Sequence, residues 1–329
     1  MSPLQISFCH HLSLSYWGGG EKFLVVLAKE LVKRGHQIKI YALPFFQEEK
    51  SKINPKDVLN DISYEEGLRK HVSGDVCYVI YRPLVLLNFS IHAPKIAGIH
   101  SELFWQKKVD AHYGFLANVF YNFNRFYRFS DLKKFDAVHL VTNAYPIQHP
   151  NIYHIPNFVD SQTYYPCKKK SDEFTVAFTS RKVWQKGWDI FQVVRQRLSK
   201  DIHVRISGGL VPENIMPAFL SEAHVTVVPA RVDTFGLSII ESLLCETPII
   251  TTPLRTHKCL DLPLIYANSP IEFLSQIMQL KAWWESDPEK YNALCLTCRE
   301  SAMKYDKVLV LDRLEAMFKD VAGRTEDKS

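Results

Sequence analysis

The sequence predicts an α/β protein with two doubly wound parallel sheets, one in each half of the chain. Its 329 residues are too many for one ordinary hydrophobic core and suit two domains. In both halves, short apolar runs typical of buried strands alternate with longer stretches of helical periodicity, which is the pattern of an α/β fold. A polar stretch at 164–172 separates the halves and has the composition of a linker.

The first half begins as a β-α-β unit with a glycine-rich first turn. Strands are predicted at 4–9, 37–43, 75–82, 95–99, 136–142 and 152–155. A helix is predicted at 21–34, because Phe23, Leu24, Leu27, Ala28 and Leu31 form an apolar stripe at helical spacing and Gly35 follows as a cap. Residues 44–75 show no regular pattern beyond weak helical character at 64–71.

The second half repeats this alternation. Strands are predicted at 174–179, 202–207, 224–229, 248–252 and 263–266, with helices at 188–198, from Gly236 onward, and at 302–319. We therefore predict an N-terminal Rossmann-like domain at 1–162, a second at 163–303, and a C-terminal helix and tail at 304–329.

Composition narrows the class of protein. Hydrophobic residues make up 47% and charged residues 23%, as in an ordinary soluble domain. No apolar run reaches the ~18–20 residues of a membrane span, and no signal peptide opens the chain, so we expect a cytoplasmic protein. The seven cysteines lack paired spacing, which argues against a disulfide framework, and Cys295 and Cys298 form a lone CxxC in a helical pattern. The net charge of +5 suits anionic ligands or an anionic membrane surface.

Two cations follow the first strand of the second half. Arg181 and Lys186 come just after residues 174–179, and ligands of parallel sheets bind at the carboxyl ends of strands. A guanidinium fork and an ammonium at such an end can hold a diphosphate, although exposed surface bases would have the same pattern.

Two acids flank a Phe-Gly turn after the strand at 224–229. Asp233 precedes the turn Phe235-Gly236-Leu237, and Glu241 lies one turn into the helix, beside a buried face predicted to include Leu237. A carboxylate there can accept both hydroxyls of a ribose, and the Gly236 amide suits a neighbouring phosphate. The alternative is an acidic helix start that only complements the helix dipole.

The first half supplies two further candidates. Gly18, Gly19 and Gly20 lack the GxGxxG pattern of a dinucleotide site, but their amides at a helix N-terminus can bind a phosphate or a sugar hydroxyl. A tight turn without a ligand is the alternative. His100 follows the strand at 95–99. It is predicted to face the same ligand-binding cleft as the candidates of the second half. No Asp-x-Asp and no metal-ligand spacing of histidines occurs, so we expect no metal.

These stretches together resemble the retaining GT-B glycosyltransferases of family 4, the glycosyl-transferase group 1 proteins. The resemblance rests on Gly-Gly-Gly-Glu at 18–21, on Ile-Pro-Asn-Phe-Val-Asp at 155–160, on the two bases, and on a Glu-x7-Glu motif with Asp in the first place. Asp233 is one methylene shorter than the family's glutamate. The Gly-Gly-x-x-Glu loop expected after Thr252 is replaced by residues 253–258.

The resemblance implies two Rossmann-like domains facing across a cleft, with the C-terminal helix crossing back to the first. The first domain would be the acceptor side and the second the donor side. It also implies metal-independent sugar transfer from a nucleoside diphosphate sugar with retention, by front-face attack and without a cofactor or a protein nucleophile. The implied catalytic residues are His100, Arg181, Lys186 and Asp233. The implied donor-binding residues are Gly18, Gly19, Gly20, Arg181, Lys186, Asp233, Phe235, Gly236, Leu237 and Glu241.

Other functions stay open at this point. The shorter acid and the missing loop also fit a catalytically silent nucleotide-sugar-binding protein. The implied acceptor is a glycan, a lipid-linked molecule or a protein. Aromatic residues interleaved with Arg and Lys at 104–129 suit a membrane interface or a lipid-linked acceptor, and helical packing against the first sheet is the plainer alternative. Nucleic-acid binding is disfavoured, because it leaves the acidic motif unexplained.

The stretch at 104–129 generates a first test. If it makes a peripheral membrane contact, the protein should co-sediment with anionic vesicles at low salt, because its basic side chains are attracted to the charged surface. Neutral vesicles are the control. Absence of binding to anionic vesicles at low salt would contradict this hypothesis.

Overall fold

The computed structural model describes residues 3–45, 51–100, 119, 122–123, 126–209 and 211–324. The chain forms two compact units. The first combines Met1–Pro156 with Leu311–Ser329, and the second is Asn157–Val310. No helix in the described ranges is both long and apolar enough to cross a membrane.

The first unit is built on a parallel sheet, as the sequence predicts. Its strands are β1 (Gln5–His10), β2 (Tyr16–Trp17), β3 (Gln37–Ala42), β4 (Ser51–Lys52), β5 (Ser63–Glu66), β6 (Lys70–Val72), β7 (Val76–Ile80), β8 (Phe89–Ile91), β9 (Lys95–Ile99), β10 (Ala137–Leu140) and β11 (Ile152–His154). The main sheet has the order β11-β10-β9-β7-β1-β3-β5, and β2 with β4 and β6 with β8 form two small separate pairs. The chain adds strands on one side of β1 and then on the other, so the order reverses between β1 and β7.

Helices of this unit flank the sheet. Among the described residues they include α1 (Gly19–Lys33), α2 (Pro55–Leu59) and the 3-10 turns Val85–Leu87 and Leu132–Lys134. The predicted apolar stripe of α1 is buried. Gly35 ends the helix in the left-handed region, at φ +92°, and its amide donates to the carbonyl of Val32 at 2.9 Å.

The helical character expected at 64–71 is wrong. Residues Ser63–Glu66 form β5, which pairs in parallel with β3, and Lys70–Val72 forms β6. A short polar segment cannot sustain an isolated helix, whereas pairing with the exposed edge of β3 satisfies its backbone hydrogen bonds. That partner is distant in sequence, so local periodicity could not reveal it.

The second unit carries a smaller parallel sheet of order β13-β12-β14-β15-β16. Its strands are β12 (Thr175–Phe178), β13 (His203–Ile206), β14 (Val225–Val228), β15 (Ile249–Thr251) and β16 (Ile265–Tyr266). Its helices are α3 (Trp188–Arg197), α4 (Met216–Ser221), α5 (Leu237–Leu244), α6 (Arg255–Lys258), α7 (Pro270–Ser286) and α8 (Pro288–Ala302), with 3-10 turns at Trp184–Lys186 and Met303–Tyr305. The strand order reverses between β12 and β14.

The predicted helix at 302–319 is interrupted. α8 ends at Ala302, and a new helix, α9 (Lys307–Gly323), begins after Asp306. Asp306 is extended, and its carboxylate accepts the amide of Val308 at 2.9 Å, so it acts as a cap that starts α9. From Leu311 onward, α9 belongs to the first unit.

Within the first unit, α9 is held by aromatic and ionic contacts. Phe318 meets the rings of Phe8 and Tyr78 edge-on, with centroids 6.0 and 5.8 Å apart. Glu315 pairs with Arg34 at 2.6 Å and with His36 at 3.2 Å. Burial alone would raise the pKa of Glu315, but hydrogen bonds from Lys319, Arg34 and His36 lower it to about 2.

Candidate active site

The strand order of the second sheet reverses where two predicted site residues meet. Lys186 follows β12 and Asp233 follows β14, and the Lys186 ammonium lies 3.2 Å from a carboxylate oxygen of Asp233. Ligands of open α/β sheets bind outside the carboxyl ends of strands at such a reversal. The structure therefore brings these two predicted residues together at the expected edge of the sheet.

Arg181 lies on the same edge. Its side chain is exposed and its stem runs over a glycine turn, since a Cβ on Gly209 would stand 2.8 Å from Arg181 Cγ. Gly209 has φ +77°, a conformation that also favours glycine. The turn thus leaves room for the arginine beside the exit of β12.

Asp233 is largely buried, and its carboxylate lies close to Lys186 and His257. Its carboxylate lies 3.5 Å from Nε2 of the buried His257, in addition to Lys186, and its backbone carbonyl accepts the Thr256 hydroxyl at 2.7 Å. Burial alone would raise the pKa of Asp233, but Lys186 and His257 hold it well below its ordinary value. The carboxylate is therefore an ionised hydrogen-bond acceptor.

His257 is a partner of this acid that sequence reasoning missed. The Thr251 hydroxyl donates to the Val228 carbonyl at 2.8 Å, so it must accept from His257 Nδ1, 3.0 Å away. Nδ1 therefore carries a proton, and a hydrogen bond from Nε2 to Asp233 forms when the ring carries both protons. His257 lies in the four-residue α6, within the segment that replaces the family's glycine loop. No periodicity marks so short a helix.

The loop bearing Lys186 is fixed by Arg231. The Arg231 guanidinium binds both carboxylate oxygens of Asp189, at 2.6 and 2.7 Å, and donates to the Trp184 carbonyl at 2.9 Å. Gly187 has φ +70°, and a Cβ there would stand 1.8 Å from the Pro229 carbonyl oxygen. The close approach of the two strand exits therefore requires glycine at 187.

The Phe-Gly turn opens α5 as predicted. Gly236, at φ +89°, is the residue before the helix, and no side chain caps this N-terminus. Phe235 is buried and meets Tyr305 edge-on at 5.6 Å. Leu237 is only half-buried, so its predicted place on the buried face is wrong. It is the first helical residue, and the buried face begins at Ile239.

Glu241 has a partner that the sequence did not suggest. It is half-buried on α5, and the hydroxyl of Tyr164 donates to its carboxylate. Burial, reinforced by Glu241, raises the pKa of Tyr164 well above its ordinary value, so this hydroxyl keeps its proton. Tyr164 begins the stretch whose composition indicated a linker, which concealed its role.

In the first unit, the predicted glycine turn forms the start of α1. Gly18 is extended and precedes the helix, and Gly19 and Gly20 are its first residues. No side chain caps this N-terminus, and a Cβ at Gly19 or Gly20 would meet no heavy atom within 4 Å. A side chain at either position would therefore have room among the described residues.

His100 sits at the end of β9 and is tied to the core below it. Its Nε2 lies 2.7 Å from the hydroxyl of Tyr78, and its ring lies 4.6 Å from that of Phe23 on α1. The same Tyr78 hydroxyl lies 2.6 Å from Nδ1 of His139, whose Nε2 lies 2.7 Å from the carbonyl of Ile155. Three strands therefore contribute to one hydrogen-bonded chain that ends at His100.

Further polar groups surround the ends of β1 and β7. His10 lies 3.5 Å from Glu21, and both side chains are 1% exposed. The His10 ring stacks on His11 at 4.9 Å, and Nε of Arg82 donates to His11 at 3.0 Å. Sequence reasoning set these histidines aside because they lack metal-ligand spacing, but their strand ends coincide with the reversal of the first sheet.

This environment disfavours positive charge on the histidines. The pKa of His100 is well below its ordinary value because of burial and of the nearby His139, His10 and Arg82. Burial lowers the pKa of His139 to about 4. Both imidazoles are therefore neutral near pH 7.

Comparison with known proteins identifies the second unit. Residues 174–281 match the family model described as Glycosyl transferases group 1. This part of the second unit is therefore similar to the group 1 glycosyltransferases. This match confirms the predicted resemblance to the group 1 proteins and the prediction of a glycosyltransferase. No curated protein matches the chain.

Solved structures match nearly the whole length of this chain. A sucrose-phosphate synthase from Thermosynechococcus elongatus has a TM-score of 0.72 at 12% identity, over 97% of this chain and 100% of its own. HepE of Anabaena in complex with UDP and glucose has a TM-score of 0.69 at 14% identity, over 96% of this chain and 99% of its own. The lipopolysaccharide outer core galactosyltransferase WaaB has a TM-score of 0.62 at 12% identity, over 96% of this chain and 99% of its own. These likenesses confirm the GT-B fold.

Three further predictions concern the aromatic stretch, the CxxC pair and metal binding. The stretch at 104–129 lies outside the described residues, apart from 119, 122–123 and 126–129. The buried Cys295 and Cys298 lie within α8. Among the described residues, no group of three or more His, Cys, Asp or Glu side chains is arranged to hold a metal ion.

The histidines make stability depend on pH. The pKa of His139 is lowered from 6.5 to about 4, so its contribution is complete above pH 6.5 and is lost as pH falls toward 4. Between pH 7 and pH 5 the free energy of unfolding should fall by about 2 kcal/mol from this residue. In urea titrations, His139→Gln should reduce the pH dependence by that amount.

His154→Gln is the matched control, because His154 is an exposed histidine on the neighbouring strand of the same sheet. As an exposed side chain, it should affect stability less than the buried His139 does. Equal pH dependence of the wild type and His139→Gln would contradict a neutral buried His139.

Proposed function

We propose that this glycosyltransferase moves a sugar from a nucleoside diphosphate sugar to an acceptor hydroxyl, with retention at the anomeric carbon and without a metal ion. The observation that carries the proposal is the meeting of Lys186 and Asp233 at the strand reversal of the second sheet. A cation for phosphate and an ionised acid for sugar hydroxyls stand side by side there. The complexes of HepE with UDP and with UDP-glucose support a nucleotide-sugar donor.

The donor diphosphate is assigned to the cations of the second unit. Arg181 and Lys186 leave the same strand end, and the uncapped amides at Gly236 add positive potential. As the sugar–phosphate bond breaks, the leaving diphosphate gains negative charge. Prepositioned cations stabilise that charge more than they stabilise the bound donor, which lowers the barrier. Two cations at this edge would supply the neutralisation that a metal ion provides in other enzymes.

Glu241 is assigned to the ribose of the donor. A carboxylate can accept hydrogen bonds from both hydroxyls of a cis-diol. A hydrogen bond from Tyr164 to this carboxylate would restrict its rotation. Such bracing favours ligand binding, because less side-chain entropy is lost when the ribose arrives.

Asp233 is assigned to the hydroxyls of the donor sugar. Its side chain is one methylene shorter than the glutamate of the family pattern, and its contacts offer a compensation. His257 and Lys186 approach the same carboxylate oxygen, at 3.5 and 3.2 Å. A held, ionised acid can orient the sugar without adapting its rotamer.

The first unit is assigned to the acceptor side. His100, a neutral imidazole at the end of β9, would contact the reacting sugar, and the amides of Gly18, Gly19 and Gly20 would bind a hydroxyl or a phosphate oxygen. A glycan or lipid-linked acceptor fits the described end of the aromatic stretch, where Phe126 is 81% exposed. Localisation at a membrane surface stays part of this proposal.

Matched lysine variants test the donor assignment. With a panel of UDP-, GDP- and ADP-sugars, the best donor is found by turnover, and Lys186→Ala should then reduce kcat about 100-fold because a transition-state contact is lost. Glu241→Ala should raise the donor KM about tenfold or more, because a ribose contact is lost. Lys182→Ala, an exposed neighbour on the same loop, should stay within about twofold of the wild type.

Two outcomes would contradict the proposal. Donor binding without turnover across the panel would indicate a silent nucleotide-sugar-binding protein. Equal losses in Lys182→Ala and Lys186→Ala would indicate a general charge effect instead of a diphosphate contact.

A further inference from the structure

The buried Tyr78 joins two histidines of the first unit. Its hydroxyl lies 2.7 Å from His100 Nε2 and 2.6 Å from His139 Nδ1. Tyr78 and His139 are 0% exposed, whereas His100 at the end of β9 is partly exposed. The chain therefore runs from the core to the edge of the sheet where ligands bind.

The proton positions follow from the carbonyl at the inner end. His139 Nε2 lies 2.7 Å from the Ile155 carbonyl, which can only accept, so Nε2 carries a proton. Because burial keeps the His139 ring neutral, its Nδ1 has no proton and must accept. The Tyr78 hydroxyl therefore donates its single proton to His139.

The outer end of the chain is then determined. Because the Tyr78 hydroxyl donates its single proton in the hydrogen bond to His139, its oxygen can only accept a hydrogen bond from His100. His100 Nε2 therefore carries a proton. In a neutral ring the other nitrogen, Nδ1, then carries a lone pair that can accept a hydrogen bond.

We propose that Tyr78 and His139 are positioning residues that fix His100 in the Nε2-protonated tautomer and present its Nδ1 as an acceptor for a hydroxyl of the sugar substrate. The tautomer assignment is independent of the reaction. The substrate step deepens the proposed function and rests on it.

The surrounding core is shaped for the Tyr78 hydroxyl. A Cβ at Gly98 on β9 would stand 2.1 Å from this oxygen, so the glycine provides the space that it occupies. The Tyr78 ring is held edge-on by Phe8 and Phe318, with centroids 5.8 Å away in both cases. The packed ring places its hydroxyl within hydrogen-bond distance of both histidines.

The surroundings of His100 favour a role as a hydrogen-bond acceptor over a role as a general acid. Besides His139, its charged and titratable neighbours are His10 and Arg82 from the ends of β1 and β7, and Phe23 of α1 covers one ring face. None of these groups is an anion that would stabilise an imidazolium. Among the described residues, the structure gives His100 Nδ1 no hydrogen-bond partner. A hydroxyl of a sugar is a donor of the required kind.

Ring-nitrogen NMR of histidine-labelled protein tests the tautomer without substrate. The His100 signal is identified by its loss in His100→Asn. We expect the proton on Nε2 in the wild type near pH 7, and a mixture of tautomers in Tyr78→Phe, which keeps the aromatic packing but lacks the hydroxyl. A proton on Nδ1 in the wild type, or an unchanged tautomer in a folded Tyr78→Phe protein, would overturn the proposal.

Two matched variants test the substrate contact. Asparagine at 100 places an oxygen acceptor near the position of Nδ1, whereas glutamine places its amide near Nε2 and retains the bond to Tyr78. We expect transfer activity of His100→Asn to exceed that of His100→Gln by about tenfold, which corresponds to one hydrogen bond.

Equal activities, or the reverse order, would overturn the acceptor role. If the wild type transfers no sugar from any donor, the proposed function fails together with the substrate step. The NMR result then still decides the roles of Tyr78 and His139.

Discussion

The ion pair of Lys186 and Asp233 is the interaction on which the candidate site of the second sheet depends. An acid that is 11% exposed costs free energy unless it is paired, and here one carboxylate oxygen is approached by Lys186 and by His257. The pair also joins the loops that follow β12 and β14. Arg231 strengthens the same junction by binding Asp189 with both nitrogens. The chemistry and the local stability of this edge therefore share their residues.

A similar constraint acts in the first unit, where polar groups are buried at the ends of parallel strands. There the partners are mostly neutral, and hydrogen bonds take the place of ion pairs. The chain from Ile155 through His139 and Tyr78 leaves each inner nitrogen satisfied. Only the outermost nitrogen, on His100, remains available among the described residues. A fully satisfied network of this kind orients its last member more strictly than packing alone.

Much of the fold could be predicted from local pattern. The strands and α1 were predictable because burial on both faces produces continuous apolar runs and one buried helix face produces a stripe. β5 and the break before α9 were not predictable. β5 depends on pairing with β3 residues that lie 24 positions earlier, and the break depends on the cap at Asp306. Nonlocal pairing and single capping residues leave little trace in periodicity.

The candidate site was predictable to a similar degree. Topology alone brings Lys186 and Asp233 together, because residues after parallel strands meet at one edge. The roles of Tyr164, His257 and Arg231 could not be predicted from the sequence, because each residue acts through another side chain. Their neighbours are set by tertiary contacts, and their local sequence resembles a linker or a loop. Partners of this kind require the folded structure.

Calorimetric binding of nucleoside diphosphates tests the central claim most directly. A site built on Lys186 and Arg181 should bind the diphosphate of its preferred nucleoside about 10- to 100-fold more tightly than the monophosphate, and Lys186→Ala should lose most of that preference. Equal affinities of the wild type for the two nucleotides would contradict the account, because the cations at the strand reversal would then not contact a diphosphate.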